Sequence, residues 1–366
     1  MTIFEQGDPS PVVKRRSRTV GWLMLAFTAV SAIGLTFFPA PYVIDHPGPT
    51  YDTLGSISVD DTEFDLISIL GAPTYDTTGE LRLTTVTRTG NPDSLPGWLD
   101  VLTGWVDPSQ TVIPVSVAYP PGLSVEANRE AAVIDMENSQ QEAIAAALSY
   151  VGIAYSSLLT VNQALEGGPS EGVLLPGDVI ISADGQFVDD VTALREIIAQ
   201  SGTQAPMAMV VKRDDSDIDL EVLPRMSEGE TRIPMIGISV SGMYDFPISV
   251  DIALDNVGGP SAGAMFALGI VDKLSAEDLT HGQIVAGTGT ISAAGEIGPI
   301  GGIRHKLLGA SYDGATIFLA PAGNCGDVVG HIPDGLTVIP MATLDDAVDA
   351  MRALASGSVL ASCPGT

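Results

Sequence analysis

The chain has little positive charge, few aromatic residues and almost no cysteine, and each shortage excludes a class of protein. Its 366 residues include 16 Lys and Arg against 45 Asp and Glu, a formal net charge of −29 at pH 7. Nucleic acids are bound through clusters of basic side chains, so we predict no nucleic-acid partner. Aromatic residues make up 5% and apolar residues 45% of the chain. This is a globular composition, long enough for two or three domains.

Only two cysteines are present, Cys325 and Cys363. They lie far apart and lack the CxxC spacing or the clustered histidines of a metal site, so we predict no metal. In an oxidising compartment they could form a disulfide, worth ~4 kcal/mol in the chain-entropy model. Two unpaired thiols are the alternative. A bond would hold the C-terminal tail, residues 358–366, against the body of the protein.

A nucleotide-binding loop is also missing from the sequence. The segment GEIGPIGGIRHKL, residues 295–307, has glycines and a lysine, but its spacing does not fit G-x-x-x-x-G-K-[ST] and no Ser or Thr follows the lysine. We therefore predict no cofactor and no dependence on ATP.

Positive charge is concentrated at the N-terminus, in residues 1–18, which we predict to be a cytoplasmic tail. Behind it, residues 19–38 (TVGWLMLAFTAVSAIGLTFF) form a 20-residue run without charge. A helix of ~20 apolar residues spans a bilayer, and a basic flank stays in the cytoplasm. We predict a single-pass transmembrane helix in the cell membrane, with everything after it outside the cytoplasm. A cleaved signal peptide is the alternative.

Apolar periodicity then predicts a sequence of helices and strands. Residues 39–60 are a turn-rich linker, residues 79–90 a strand and residues 137–152 a helix, whereas residues 91–135 are predicted to be irregular, with Trp98 and Trp105 as packing anchors. Further elements are predicted as strands over 157–164, 178–183, 207–212, 218–223, 248–255, 315–323 and 335–342, and as helices over 191–200, 261–274 and 343–357. Thr343 and Asp346 form a capping-box pattern. The fold class predicted is α+β.

The stretch DNVGGPSAGAM, residues 255–265, places Ser261 between a strand and an apolar helix. Glycines before the serine allow a tight turn, and N–H groups at a helix start lack partners within the helix. These groups point towards any oxyanion formed there, so the backbone of Gly259, Ser261 and Ala262 is the predicted oxyanion hole. The alternative is that Ser261 only caps the helix.

A nucleophilic serine needs a proton acceptor. A hydrolase with a histidine base would have to use His281, His305 or His331, and nothing in the sequence singles one of them out. Lys306 is different, because it lies in the helical segment IRHKLLGA with apolar residues on one side. A buried lysine loses proton affinity and can serve as the base of a Ser-Lys dyad. A surface lysine is the alternative.

These motifs resemble the proteolytic domain of the Lon family of Ser-Lys peptidases. The resemblance rests on GGPSAG and GTGTISAAGEIGPIGGIRHKLLGA and covers residues 230–356. It implies that Ser261 is the nucleophile, Lys306 the base and Thr288 a residue that assists the lysine. Lon domains assemble into rings, often hexamers, so the resemblance also implies a homo-oligomer. Gly258 departs from the family, where many members carry an acidic residue.

A second resemblance concerns residues 153–225, whose LLPGDVI segment and Asp184-Gly185 turn are similar to bacterial PDZ domains. PDZ domains bind extended peptides at a sheet edge. The resemblance implies a membrane-anchored, PDZ-containing Lon-like serine protease, in which the PDZ domain is an insertion, residues 39–152 pack with the protease part, and residues 226–357 form the proteolytic domain.

The function predicted is therefore that of an ATP-independent serine endopeptidase acting on extracytoplasmic proteins or peptides. Two alternatives stay open at this stage. One is a non-catalytic PDZ scaffold or chaperone built on a dead protease fold. The other is an esterase of a different fold, which would use a histidine instead of Lys306.

Overall fold

The computed structural model describes residues 16–59, 62–119, 124–188, 191–227, 232–254, 257–358 and 361–363. Up to residue 119 the elements are α1 (Arg16–Phe37), β1 (Tyr42–Asp52), β2 (Ser56–Val59), β3 (Thr62–Asp65), β4 (Ile67–Leu70), β5 (Glu80–Thr89), α2 (Trp98–Val106), β6 (Thr111–Pro114) and α3 (Val115–Ala118). From residue 124 to 245 they are α4 (Val125–Val151), β7 (Ser156–Ala164), β8 (Val179–Ala183), β9 (Gln186–Phe187), α5 (Val191–Ser201), β10 (Met207–Arg213), β11 (Ser216–Val222), β12 (Arg225–Met226), β13 (Pro234–Met235) and β14 (Ile238–Asp245). The remainder contains β15 (Ser249–Ile252), α6 (Gly263–Leu274), β16 (Ile284–Gly287), β17 (Thr290–Ile291), β18 (Ile297–Gly298), α7 (Ile303–Tyr312), β19 (Ile317–Pro321), α8 (Cys325–Val328), β20 (Thr337–Met341) and α9 (Leu344–Ser356).

Helix α1 covers most of the segment that the sequence predicted to cross a membrane, residues 19–38. That prediction finds no support in the structure: among the residues described, no helix combines the length and the apolar character that a membrane crossing needs.

The chain divides into two compact units, of which the first comprises Met1–His46 and Arg88–Val125. In this unit Tyr42 packs edge-on against Trp98 and Trp105 of α2, with ring centroids 6.0 Å and 5.7 Å apart. The two tryptophans thus make ring contacts, but Trp105 remains 54% exposed. The prediction of irregular structure over residues 91–135 is wrong, because α2, β6, α3 and the start of α4 lie there.

The second unit comprises Pro47–Thr87 and Glu126–Thr366 and contains a parallel sheet. Its strands run in the order β20-β19-β16-β5, and all three pairings are parallel. Helix α6 is buried over Gly263–Asp272 and lies in the main apolar core, which also takes in β4, β5 and the second half of α4. Helices connect the strands of this sheet, so the architecture is mixed α/β.

A second sheet of the same unit has the strand order β11-β10-β8-β7-β14. It has its own core, to which α5 contributes Leu194, Ile197 and Ile198. The sheet includes β14, although the sequence assigned residues after 225 to the proteolytic domain. β14 belongs to the second sheet because it pairs antiparallel with β7 along its whole length, from Ile238 opposite Ala164 to Asp245 opposite Ser156.

The predicted bounds of three elements, α9, α4 and β15, agree with the structure to different degrees. Helix α9 begins after Thr343, whose hydroxyl accepts from the Asp346 N–H at 3.1 Å while the Asp346 carboxylate accepts from the Thr343 N–H at 3.0 Å. This confirms the capping box. Helix α4 differs, since it begins at Val125 instead of Glu137. The strand predicted over 248–255 is limited to Ser249–Ile252, and residues 255 and 256 lie outside the described residues.

Candidate active site

Ser261 lies in a 3-10 turn, Pro260–Ala262, that leads directly into α6. The turn is entered through Gly259, whose φ of 89° and ψ of 156° lie in a region that residues with a Cβ rarely adopt. Pro260 has no N–H to satisfy and its fixed φ suits the first position of a helical turn. The sequence G-G-P-S therefore forms the sharp entry that places Ser261 at the helix start.

Lys306 lies in the first turn of α7 and is only 3% exposed. Its Nζ lies 2.7 Å from Ser261 Oγ and 2.8 Å from Thr288 Oγ1. Thr288 is completely buried and follows β16, an interior strand of the parallel sheet. The structure thus brings together three side chains that are separated by up to 45 positions in the sequence.

Burial lowers the pKa of Lys306 from 10.5 to about 7. The cause is desolvation, which disfavours the charged ammonium. Within the described part of the chain, no carboxylate forms an ion pair with Lys306 that would restore the charge. A large fraction of the amine is therefore neutral near pH 7 and carries a lone pair that can accept a proton.

Thr288 determines where that lone pair points. Its hydroxyl donates to the carbonyl oxygen of Ser261 at 2.8 Å. Because the hydroxyl has one proton, which is used in this bond, the same oxygen must accept from Lys306 Nζ. A neutral amine that donates to Thr288 can keep its lone pair directed at Ser261 Oγ. The backbone strengthens this arrangement, since the Thr288 N–H donates to Leu319 O at 3.2 Å and the Gly289 N–H donates to Ser261 O at 2.9 Å.

The predicted oxyanion hole needs a correction at Gly259. Its N–H donates to the carbonyl oxygen of Ala132 in α4 at 2.9 Å and is not available to a substrate. The N–H groups of Ser261 and Ala262 lie in the first turn of the helical segment, where donors lack intrahelical acceptors. Their role in binding an oxyanion stays a prediction.

Helix α4 was not among the site elements predicted from the sequence, yet it supports the Ser261 turn at two points and the segment after β17 at a third. Ala132 O accepts from Gly259, and Ser139 Oγ donates to Pro260 O at 3.0 Å. The Glu142 carboxylate accepts from the Ala293 N–H, next to β17. No sequence motif marks these positions, because each contact joins residues more than 100 positions apart.

Within the described residues, none of the three histidines considered as alternative bases forms a hydrogen bond with Ser261 Oγ. His281 is exposed, with a positive φ of 48° in a turn, and the His331 ring contacts Val329 O at 3.1 Å. His305 is buried beside Lys306 in α7. Ser261 Oγ bonds instead to Lys306 Nζ, which is the geometry of a Ser-Lys pair.

The family resemblance implied an acidic residue at position 258, and the structure gives a steric reason for the glycine there. A Cβ at Gly258 would lie 2.9 Å from Ala132 Cβ and 3.4 Å from Ala132 O. A side chain here would push α4 away from the turn, and with it the Gly259 hydrogen bond. The glycine is therefore the residue that lets α4 pack over the Ser261 turn.

We expect Gly258→Asp to destabilise the protein by about 1–3 kcal/mol, the usual effect of overpacking. Ala132→Gly removes the closest clashing atom, so the double variant should recover part of this loss even though Ala132→Gly alone weakens α4 by about 1 kcal/mol. Urea unfolding of the parent, both single variants and the double variant measures the coupling. Strict additivity of the two single effects would contradict the contact.

Disulfide formation is also visible in the structure. Cys325 and Cys363 are bonded, with their Cα atoms 5.3 Å apart. Cys363 is buried in an apolar cluster with Ala286, Ile303 and Phe318. The predicted pairing is confirmed, and it ties the described part of the tail to the parallel sheet.

Comparison with known proteins is informative mainly for the last third of the chain. Residues 251–354 match the Lon protease (S16) C-terminal proteolytic domain. The archaeal Lon protease of Methanothermobacter thermautotrophicus is 34% identical over 108 residues, which is 29% of this chain and 16% of that protein. Lon protease 1 of Bacillus subtilis is 34% identical over 109 residues, 29% of this chain and 14% of that protein. The chain therefore spans less than a fifth of the length of these relatives.

Two solved structures are also similar to part of the chain. The PDZ domain of an SdrC-like protein from Listeria monocytogenes has 19% identity, covers 24% of this chain and 90% of that chain, and gives a TM-score of 0.22. The corresponding domain from Listeria innocua has 20% identity, covers 23% of this chain and 92% of that chain, and gives a TM-score of 0.21. The boundaries 153–225 for a PDZ domain stay a prediction. Ser261, Thr288 and Lys306 all lie in residues 251–354, the part of this chain that is similar to the proteolytic domain of Lon proteases.

Proposed function

We propose that the chain is an ATP-independent serine endopeptidase in which Ser261 is the nucleophile and Lys306 the general base. The observation that carries the proposal is the distance of 2.7 Å between Lys306 Nζ and Ser261 Oγ, at a lysine that is 3% exposed. A nucleophile within hydrogen-bond reach of a base, which is itself oriented by a third group, is the arrangement that activates a hydroxyl. Thr288 is the third group.

The reaction follows from this geometry. Ser261 Oγ attacks the carbonyl carbon of a peptide bond while its proton passes to Lys306 Nζ. The C–N bond then breaks, Lys306 returns the proton to the departing amine, and an ester remains on Ser261. Water attacks the ester, giving one proton to Lys306, and this proton returns to Ser261 Oγ as the C–O bond breaks. N–H groups of Ser261 and Ala262 would stabilise the oxyanion.

Protein and peptide substrates, and assembly into a homo-oligomeric ring, belong to this proposal as features of the Lon type. An oxidising, extracytoplasmic location is also proposed. It is supported by the Cys325–Cys363 disulfide, because such bonds persist outside the reducing cytoplasm.

The direct test is labelling with a fluorophosphonate probe, followed by peptide mapping. We expect the parent protein to be labelled at Ser261 and to cleave an unfolded protein without ATP, and Ser261→Ala to do neither. A folded parent protein that is neither labelled nor active would refute the proposal and would support a non-catalytic scaffold.

The pH dependence of the reaction should report Lys306. Its pKa is lowered to about 7, and only the neutral amine accepts a proton, so kcat/KM should rise about tenfold per pH unit below pH 7 and level off above it. Initial rates with a fluorogenic peptide between pH 5 and 9 measure this profile. A rate that is flat between pH 5.5 and 8 would exclude Lys306 as the base.

A further inference from the structure

Asn324 is a buried polar residue that the proposed reaction does not use. It ends the 3-10 turn Ala322–Asn324, which directly follows β19, and it is 3% exposed. Both ends of its amide bind the same backbone residue. The Ile300 N–H donates to Asn324 Oδ1 at 2.8 Å, and Asn324 Nδ2 donates to Ile300 O at 2.9 Å. The side chain thus satisfies both backbone groups of Ile300, as a neighbouring strand would.

Ile300 lies in the loop that leads into α7, the helix that carries Lys306. Gly302 is the N-cap of α7, and its carbonyl oxygen accepts from the Lys306 N–H at 3.2 Å. A Cβ at Gly302 would lie 2.9 Å from Val86 Cγ2, so this end of the loop is packed closely against β5. Asn324 holds the other end. The start of α7, and with it the backbone of Lys306, is therefore fixed from two sides.

The turn that carries Asn324 is also connected to Thr288. It continues β19, in which Leu319 O accepts from the Thr288 N–H at 3.2 Å. Gly323 of the turn lies against Pro299, because a Cβ there would be 3.2 Å from Pro299 Cβ. This short segment therefore binds the backbone of Thr288 at one end and the loop before α7 at the other.

We propose that Asn324 is a positioning residue for the Ser261–Lys306 pair, acting through the loop before α7. The inference rests on the proposed peptidase function and deepens it. Within the described residues, the side-chain hydrogen bonds of Asn324 go to Ile300 alone, so it acts through the backbone and not on the reacting atoms. Lys306 Nζ lies 2.7 Å from Ser261 Oγ, and a displacement of about 1 Å at a reacting group can cost about 100-fold in rate.

Two variants at this position and one control test the inference. Asn324→Ala removes both hydrogen bonds. Asn324→Asp keeps the size of the side chain and an acceptor for the Ile300 N–H, but near neutral pH it has no proton to donate to Ile300 O. The control is Val338→Ala, which removes buried apolar volume from β20, opposite Phe318 of β19. This change lowers stability in the same sheet and leaves both Asn324 hydrogen bonds in place.

Each variant is assayed at a temperature at which circular dichroism shows it to be folded. With the fluorogenic peptide, we expect both Asn324 variants to lower kcat by about 10-fold to 100-fold, with KM within about twofold of the parent value. The rate constant for fluorophosphonate labelling of Ser261 should fall by a similar factor, since it depends on the same proton transfer. Val338→Ala should keep both rates within about twofold of the parent.

The pH profile provides a readout that lower stability alone would not change. Burial holds the pKa of Lys306 at about 7. A loosened α7 admits water, which stabilises the ammonium, so kcat/KM of Asn324→Ala should level off about one pH unit higher than in the parent. Val338→Ala should keep the profile of the parent.

Folded Asn324 variants whose kcat, labelling rate and pH profile match those of Val338→Ala would overturn the inference. Failure of both Asn324 variants to fold would also overturn it, because Asn324 would then determine the fold and not the geometry of the pair. Labelling of the parent at Ser261 together with unaffected Asn324 variants would refute the positioning role and leave the peptidase intact. A folded parent that is neither labelled nor active would refute the peptidase, and the inference with it.

Discussion

Lys306→Arg is expected to lower peptide hydrolysis by about 10⁴-fold or more, the loss seen when one member of a catalytic unit is removed. Arginine keeps the positive charge but cannot lose its proton near neutral pH, so it cannot accept the proton of Ser261. Lys306→Met removes the base without adding a charge and should be equally inactive. Cleavage of an unfolded protein and fluorophosphonate labelling both measure the effect, with Lys273→Arg, at the far end of α6, as the control.

Measuring the free energy of unfolding of each variant shows whether an inactive variant has lost the catalytic base or has lost its fold. The folded pKa of Lys306, about 7, lies below its unfolded value of 10.5, so the unfolded state binds the proton more strongly. Below pH 7 the buried ammonium therefore lowers the free energy of unfolding by its full amount. This loss becomes smaller as the pH rises from about 7 to about 10.5. Lys306→Met should be more stable than the parent at pH 6, and the difference should narrow by pH 9. An active Lys306→Met or Lys306→Arg variant would refute the dyad.

Loss of the disulfide is expected to have the largest effect on stability. The Cys325–Cys363 bond closes a loop with a sequence separation of 38, for which the chain-entropy model gives about 4 kcal/mol. Cys325→Ala combined with Cys363→Ala removes the bond and keeps the buried site apolar. Urea unfolding with and without reductant measures the effect.

We expect reductant to lower the urea midpoint of the parent protein. The double variant should have a lower midpoint than the oxidised parent, and reductant should not change it. A parent whose midpoint is the same in both conditions would contradict a stabilising bond. The same comparison tests the proposed compartment, since a protein that needs this bond depends on an oxidising environment.

Local features of the site could be predicted from the sequence because they depend on neighbouring residues. Gly259 and Pro260 specify the turn before Ser261, and Thr343 with Asp346 specifies the start of α9, since capping uses residues three positions apart. The pairing of Ser261 with Lys306 was predicted from a family resemblance, not from periodicity. The start of α4 could not be predicted, because its residues have no strong amphipathic pattern.

The sequence determined the local features of the turn before Ser261 and, through its resemblance to a family, predicted Ser261 and Lys306 as nucleophile and base; it also supplied a pair of cysteines suited to a disulfide. Only the tertiary structure decided the properties that depend on distant neighbours. Lys306 has a lowered pKa because the packing of α7 on the sheet removes water, Gly259 loses its free N–H to Ala132, and β14 joins the second sheet by pairing with β7. Burial and hydrogen bonding between sequence-distant groups arise from packing, which no local pattern encodes.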